Sequence, residues 1–132
     1  MVLPGIQALF GFQLIAVFNE RFATILPRGG GRLHLLAVML VAVAIALIMA
    51  PAAYHRLAER DAISRYFANF ASRVIAMAML ALLFAISIEV SLVAYAIEMK
   101  IWLSVCCGAG LAILFGCLWF LHPMARRRSG QR

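Results

Sequence analysis

The chain has 132 residues, of which 66% are hydrophobic and only 13% are charged. In soluble domains about a quarter of all residues are charged. The composition of this chain therefore excludes a soluble domain and predicts an integral membrane protein. The formal charge of +7 does not indicate nucleic-acid binding, because the arginines flank apolar segments, where they set orientation and meet anionic lipid headgroups.

Four apolar segments fill nearly the whole chain. A membrane-spanning helix needs roughly 20 apolar residues, and each segment reaches that length. We therefore predict one domain, an all-α membrane four-helix bundle, with spans at about residues 5–26, 33–54, 73–97 and 101–121. Pro27 should end the first span, and Pro51 should kink the last part of the second.

Residues 56–72 interrupt this pattern between the second and third spans. Apolar side chains recur there at three- and four-residue spacing, at Ile63, Phe67, Phe70 and Val74. The pattern predicts a short amphipathic helical stretch, which either lies in the headgroup region or extends the third span. An ordinary helical linker between spans is the alternative interpretation.

The basic residues outside the spans predict the orientation. Eight lie on one side, namely Arg56, Arg60, Arg65, Arg73, Arg126, Arg127, Arg128 and Arg132. Three lie on the other side, namely Arg28, Arg32 and Lys100. By the positive-inside rule we expect both termini of this multi-pass protein in the cytoplasm.

Several classes of site find no support in the sequence. Cys106, Cys107 and Cys117 all lie in one apolar segment, so no disulfide framework is expected. Their spacing, with His122, matches no metal-ligand pattern, and we expect the three cysteines to be small packing residues. We expect no metal, no cofactor and no catalytic residues, and hence no enzyme. A cleavable signal peptide is not expected either, because the N-terminus lacks a basic region.

Two acidic residues inside predicted spans, Glu20 and Glu89, are the candidate functional residues. A carboxylate at membrane depth is costly unless it is paired, protonated or hydrated, so it indicates function. Each acid shares a helical stripe with small residues, which mark close helix contacts. These stripes are Gln13, Ala16, Glu20 and Ala23 on the first helix, and Ala78, Ala81, Ala85, Glu89 and Ala96 on the third.

Both acids should therefore face the bundle interior, and they could meet at one depth with Arg21, Asn19 and Gln13 nearby. One interpretation is a structural network of buried polar groups that fixes helix pairing. Another is a proton or cation site in which one carboxyl group titrates near neutral pH. A third is that Glu20 or Arg21 extends to the membrane surface.

Two further patterns stand at helix ends and faces. Pro51, Tyr54, His55 and Arg56 end the second span at its cytoplasmic side. His55 and Arg56 either cap the helix and contact lipid phosphates, or His55 accepts protons or senses pH. Small residues at four-residue spacing favour close packing within the bundle or between protomers, at Ser104, Gly108, Ala112 and Gly116.

The segments LPGIQALFGFQL (residues 3–14) and APAAYHRL (residues 50–57) carry a family resemblance. They resemble the signature stretches of a bacterial family of small four-helix membrane proteins, catalogued as a domain of unknown function. Members are often labelled sodium:proton antiporters and usually carry a longer polar N-terminus. The resemblance implies a location in a bacterial inner (plasma) membrane. It also implies that the family pattern includes Pro4, Gln7, Phe10, Pro51, Tyr54, His55 and Arg56.

Two functions therefore stay open. The first is proton- or cation-linked transport or conduction by an oligomer, with protons or monovalent cations as the species bound. The second is a non-catalytic membrane subunit or scaffold that pairs with a partner membrane protein. The expected partners are thus the lipid bilayer and either further copies of the chain or another membrane protein.

Overall fold

A computed structural model describes residues 2–17, 22–58 and 64–129, and all regular structure within these ranges is helical, which confirms the all-α prediction. The elements are α1 (Val2–Val17), α2 (Phe22–Ile25), α3 (Gly30–Ala58), α4 (Arg65–Glu98), α5 (Ile101–Gly116), a π-helical turn (Cys117–Leu121) and α6 (His122–Ser129). Within these ranges, three continuous helices are long and apolar enough to cross a membrane: α3, α4 and residues 101–126. A shorter apolar helix covers Pro4–Ile15.

The last three helical segments are longer than the predicted spans. Pro51 lies inside α3, which continues to Ala58. At 1.5 Å rise per residue, the 34 residues of α4 extend about 51 Å, well beyond the roughly 30 Å of a hydrocarbon core. The last helix also continues past the predicted end at residue 121, through the π-helical turn into α6. The first predicted span corresponds to α1 and α2, and residues 18–21 lie outside the described ranges.

The start of α4 accounts for the amphipathic stretch. Ser64 is extended and its side chain accepts a hydrogen bond from the Phe67 amide at 3.0 Å, which satisfies a free donor of the first turn. From Arg65 onward the stretch is continuous with the third span. It therefore extends that span, while residues 59–63 lie outside the described part of the chain.

Helix α4 lies at the centre of the packing, with α3 on one side and α5 on the other, and α1 packs mainly on α3. Small residues allow the close approach of α3 and α4. Ala44 of α3 and both Ala78 and Ala85 of α4 are completely buried, and Ile6 of α1 joins the same cluster. We call the end with the α2–α3 and α4–α5 turns (residues 26–33 and 96–102) the hairpin end. The opposite end (residues 54–58, 64–67 and 119–129) is the tail end.

Both turns at the hairpin end depend on a residue with positive φ. Gly29 has a φ of 86°, and its carbonyl accepts hydrogen bonds from the amides of Arg32 and Leu33. Met99 ends α4 with a φ of 55°, and its amide donates to the Tyr95 carbonyl at 2.8 Å. Glycine adopts this conformation without a steric penalty, whereas methionine adopts it at a steric cost.

Substituting Met99 by glycine should therefore stabilise the fold. We expect Met99→Gly to raise the free energy of unfolding by roughly 0.5 kcal/mol, because relief of the left-handed strain exceeds the added freedom of the unfolded chain. Chemical unfolding in detergent, followed by circular dichroism, measures the change. Met99→Ala keeps the strain and should give no gain; an equal gain from alanine would contradict this explanation.

Candidate functional site

A buried histidine and a glutamate meet near the hairpin end. His34, one turn into α3, places its Nδ1 2.8 Å from Oε1 of Glu89 on α4. The His34 side chain is 3% exposed and that of Glu89 is 17% exposed. This distance places the two side chains in direct polar contact.

Helix α1 completes the site. The other ring nitrogen of His34, Nε2, lies 3.1 Å from the backbone carbonyl oxygen of Gln13. The Gln13 side chain also approaches the Glu89 carboxyl group. Gln13 is only 5% exposed, yet neither polar atom of its amide completes a hydrogen bond within the described part of the chain. The cluster thus contains a buried amide with unused donors and an unused acceptor.

These contacts constrain where the hydrogens lie. A carbonyl oxygen only accepts hydrogen bonds, so the Gln13 contact requires Nε2 of His34 to carry a hydrogen. A neutral ring with that hydrogen presents a lone pair at Nδ1. Facing an ionised Glu89 at 2.8 Å, this lone pair would be repelled. One further proton must therefore be held by the pair, either on the His34 ring or on the Glu89 carboxyl group.

The structure brings together some of the residues predicted for this site. The Gln13 side chain lies close to the Glu89 carboxyl group, and Ala78, Ala81 and Ala85 of the Glu89 stripe are buried. Ala96, assigned to the same stripe, is exposed. The remaining predicted members, Asn19, Glu20 and Arg21, lie outside the described residues, so the meeting of Glu20 with Glu89 stays a prediction.

His34 is the site residue that the sequence analysis missed. The second span contains no formal charge at neutral pH, and it was interpreted only as a membrane segment. A signal was nevertheless present, since His34 begins a stripe of small residues continued by Ala37, Val41 and Ala44, all three of which are completely buried. A polar residue at the head of such a stripe faces a neighbouring helix.

The predicted motif at the tail end forms an aromatic contact between α3 and α4. The Tyr54 ring centroid lies 5.3 Å from that of Phe70 and 5.9 Å from that of Phe67. His55 lies 5.6 Å from Phe67. Pro51 precedes them within α3, and Arg56 is exposed. These rings fix the end of α3 against the start of α4; the capping and proton-accepting interpretations of His55 both stay open.

The predicted small-residue ladder lies partly between α4 and α5. Ser104 and Gly108 are buried, and Ser104 Oγ donates to the Ser91 carbonyl at 2.6 Å. Ala112 and Gly116 are half-buried. The ladder therefore contributes to contacts within the bundle over its first half.

Within the described ranges, no group of three or more His, Cys, Asp or Glu side chains is placed to hold a metal ion. Cys106, Cys107 and Cys117 are free thiols and are exposed. They were expected to be small packing residues; they lie instead on the outer surface of the last helix.

Fold and site together define a helical bundle with three helices of membrane-spanning length and a polar cluster between α1, α3 and α4. The chain belongs to a family of unknown function, DUF6328, whose model matches residues 1–123. This confirms the resemblance to a family of unknown function. No curated protein and no solved structure matches the chain.

Proposed function

We propose that this protein is a multi-pass protein of the bacterial inner membrane that exchanges protons at the His34–Glu89 pair, and so carries out proton-linked transport or conduction as an oligomer. The observation that carries the proposal is the 2.8 Å contact between His34 Nδ1 and Glu89 Oε1 inside an apolar bundle. The excess of arginine at the tail end supports a cytoplasmic location for both termini. The role is not enzymatic and needs no cofactor.

The chemistry of the pair supports proton exchange. With Nε2 of His34 donating to Gln13, the pair holds one proton that either partner can carry. Loss of this proton leaves a lone pair facing a carboxylate, which drives the two side chains apart; its return draws them together. Histidine and carboxyl groups are the usual members of proton relays within membranes.

The surroundings of the pair suit this role. Among the described residues, His34 from α3 and Glu89 from α4 are the titratable groups of the cluster, and α1 contributes the uncharged Gln13. Arg32 lies two residues before His34 but is exposed. The partial exposure of the Glu89 side chain, 17%, gives the proton a way in beside the bundle. Oligomer formation would enclose that opening and exclude lipid from it.

Proton flux into liposomes tests the proposal. A potassium diffusion potential drives protons inward, and a trapped pH-sensitive dye records them. We expect proton flux through the wild-type protein to acidify the liposome lumen. Glu89→Gln should lower this flux at least tenfold, because an amide side chain does not titrate near neutral pH. Glu98→Gln removes the same charge from the exposed end of α4 and should retain full flux. Wild-type flux equal to that of protein-free vesicles, or an unchanged Glu89→Gln flux, would refute the proposal.

A second candidate function, a membrane subunit that pairs with a partner protein, is favoured by the outer face of the last helix. Only 11% of its most apolar stretch is buried within the chain, compared with 28% for α3 and 33% for α4. A helix so little covered is available for a neighbour in the membrane. Oxidation in native membranes uses its exposed cysteines as reporters. Disulfide-linked dimers of the chain alone would favour a homo-oligomer; linkage to a different protein would favour the partner subunit.

A further inference from the structure

A cavity of about 280 Å³ opens at the hairpin end between α3, α4 and α5. This is more than ten times the roughly 10–15 Å³ that a single water molecule requires. Its walls include Leu33 of α3, Ile88, Leu92 and Tyr95 of α4, and Val105 of α5. The cavity lies beside the His34–Glu89 cluster, since Leu33 and Ile88 immediately precede those two residues, but it contains neither of them.

The walls offer an apolar surface with few free polar groups. Three hydroxyl-bearing residues line the cavity, Tyr95 and two serines. Both serines already donate to backbone carbonyls: Ser104 to Ser91 at 2.6 Å and Ser91 to Ser87 at 2.9 Å. A large, mostly apolar space whose serine hydroxyls are satisfied is poorly suited to hold water, which needs two to four polar partners. It is suited to a hydrocarbon chain.

Basic residues adjoin the lining of the cavity in the sequence. Three of its lining residues, Pro27, Leu33 and Ile101, have a basic sequence neighbour, and these neighbours are Arg28, Arg32 and Lys100. All three cations are exposed, and so is Glu98, which lies two residues before Lys100. The balance at the mouth therefore favours an anion, and guanidinium groups bind phosphate oxygens well.

We propose that this cavity binds one acyl chain of an anionic phospholipid, whose phosphate is held by Arg28, Arg32 and Lys100. Apolar walls and a cationic rim match the two halves of such a lipid, and the surrounding bilayer supplies it. Basic pockets between membrane helices are a general way of binding anionic headgroups. The inference is independent of proton exchange at His34 and Glu89, because it involves other side chains.

Native mass spectrometry of the full chain tests the proposal. The protein in detergent is incubated with vesicle-derived phosphatidylglycerol or with phosphatidylcholine of the same chains, and the retained lipid is counted. We expect one phosphatidylglycerol to be retained at least fivefold more than phosphatidylcholine. Val105→Phe fills the cavity and should lower retention at least fivefold. Ile113→Phe, an equal change at an exposed position of the same helix, should leave retention unchanged.

A second set of variants tests recognition of the headgroup by changing charged residues outside the apolar core. Replacing Arg32 and Lys100 by glutamine should abolish the preference for phosphatidylglycerol while leaving weak retention of both lipids. Arg126→Gln, at the tail end, should preserve the preference. Equal retention of both lipids by the wild-type protein, unchanged retention in Val105→Phe, or loss of the preference only in Arg126→Gln would overturn the proposal. Because Val105 is 59% exposed, its substitution should leave the fold intact.

Discussion

Replacing His34 by leucine is expected to lower the free energy of unfolding by about 3 kcal/mol, one of the two largest effects that we expect in this chain. The loss of stability comes from Glu89, the partner that remains after the substitution. Glu89 would keep its carboxyl group among apolar side chains without the imidazole that now lies 2.8 Å away. A buried charge whose partner is removed costs more than the pair itself contributes. Chemical unfolding in detergent micelles, followed by circular dichroism, provides the measurement.

A double-mutant cycle separates this effect from a loss of packing. Glu89→Met alone should also destabilise, because it leaves the His34 ring without its acidic partner. The combined variant should recover most of the loss, since replacing both members by apolar groups of similar shape is nearly neutral. Additive losses in the double variant would mean that the two residues do not interact and would remove the basis of the proposed site.

Stability and proton flux report different properties of this pair. Glu89→Gln keeps the size of the side chain and can still bond to His34, so a folded protein without flux is the expected outcome. A variant that lost both would leave the role of Glu89 structural, as a polar contact that fixes the pairing of α3 with α4. The flux measurement is therefore interpreted only beside the unfolding curve of the same variant.

Hydropathy predicted the existence of the long helices but not their ends. It detects the part of a helix that lipid would surround, whereas the backbone hydrogen bonds continue into polar flanks. Helix α4 starts at Arg65, eight residues before the predicted span, because Ser64 caps it and the intervening residues are polar on only one face. Likewise α3 continues past Pro51, whose position one turn before Tyr54 was expected to bend the helix.

The sequence singled out some residues of the candidate site and missed His34, because the prediction relied on charged and polar residues within apolar runs. Gln13 and Glu89 stood out as polar residues within apolar runs. His34 did not, because an uncharged ring contributes nothing to a count of charges. Its pairing with Glu89 depends on the register between α3 and α4, which is set by the packing of Val41 and Ala44 against Ala81 and Ala85. No spacing along one helix reveals that register.

The second large effect concerns Gly108, where α5 packs directly against α4. A Cβ atom at this position would lie 2.7 Å from the backbone carbonyl oxygen of Ser87 and would overlap the Ser91 hydroxyl group. A side-chain hydroxyl can rotate away, but the carbonyl moves only if α4 itself moves. We therefore expect Gly108→Val to destabilise the fold by about 3 kcal/mol, at the upper end of the cost of overpacking.

Gly110 provides the matched control in the same helix. A Cβ there meets nothing within 4 Å, so Gly110→Val changes only the local preference for helix and should cost far less. Gly108→Ala should also destabilise the fold, because its Cβ meets both the Ser91 hydroxyl and the Ser87 carbonyl. Adding Ser91→Ala removes the hydroxyl and should recover part of this loss of stability, while the Ser87 carbonyl accounts for the rest. If Gly108→Val and Gly110→Val unfold alike, α5 does not pack on α4 through Gly108. The cavity beside Ser91 and Ser104 would then lose one of its walls, and the lipid proposal would fall with it.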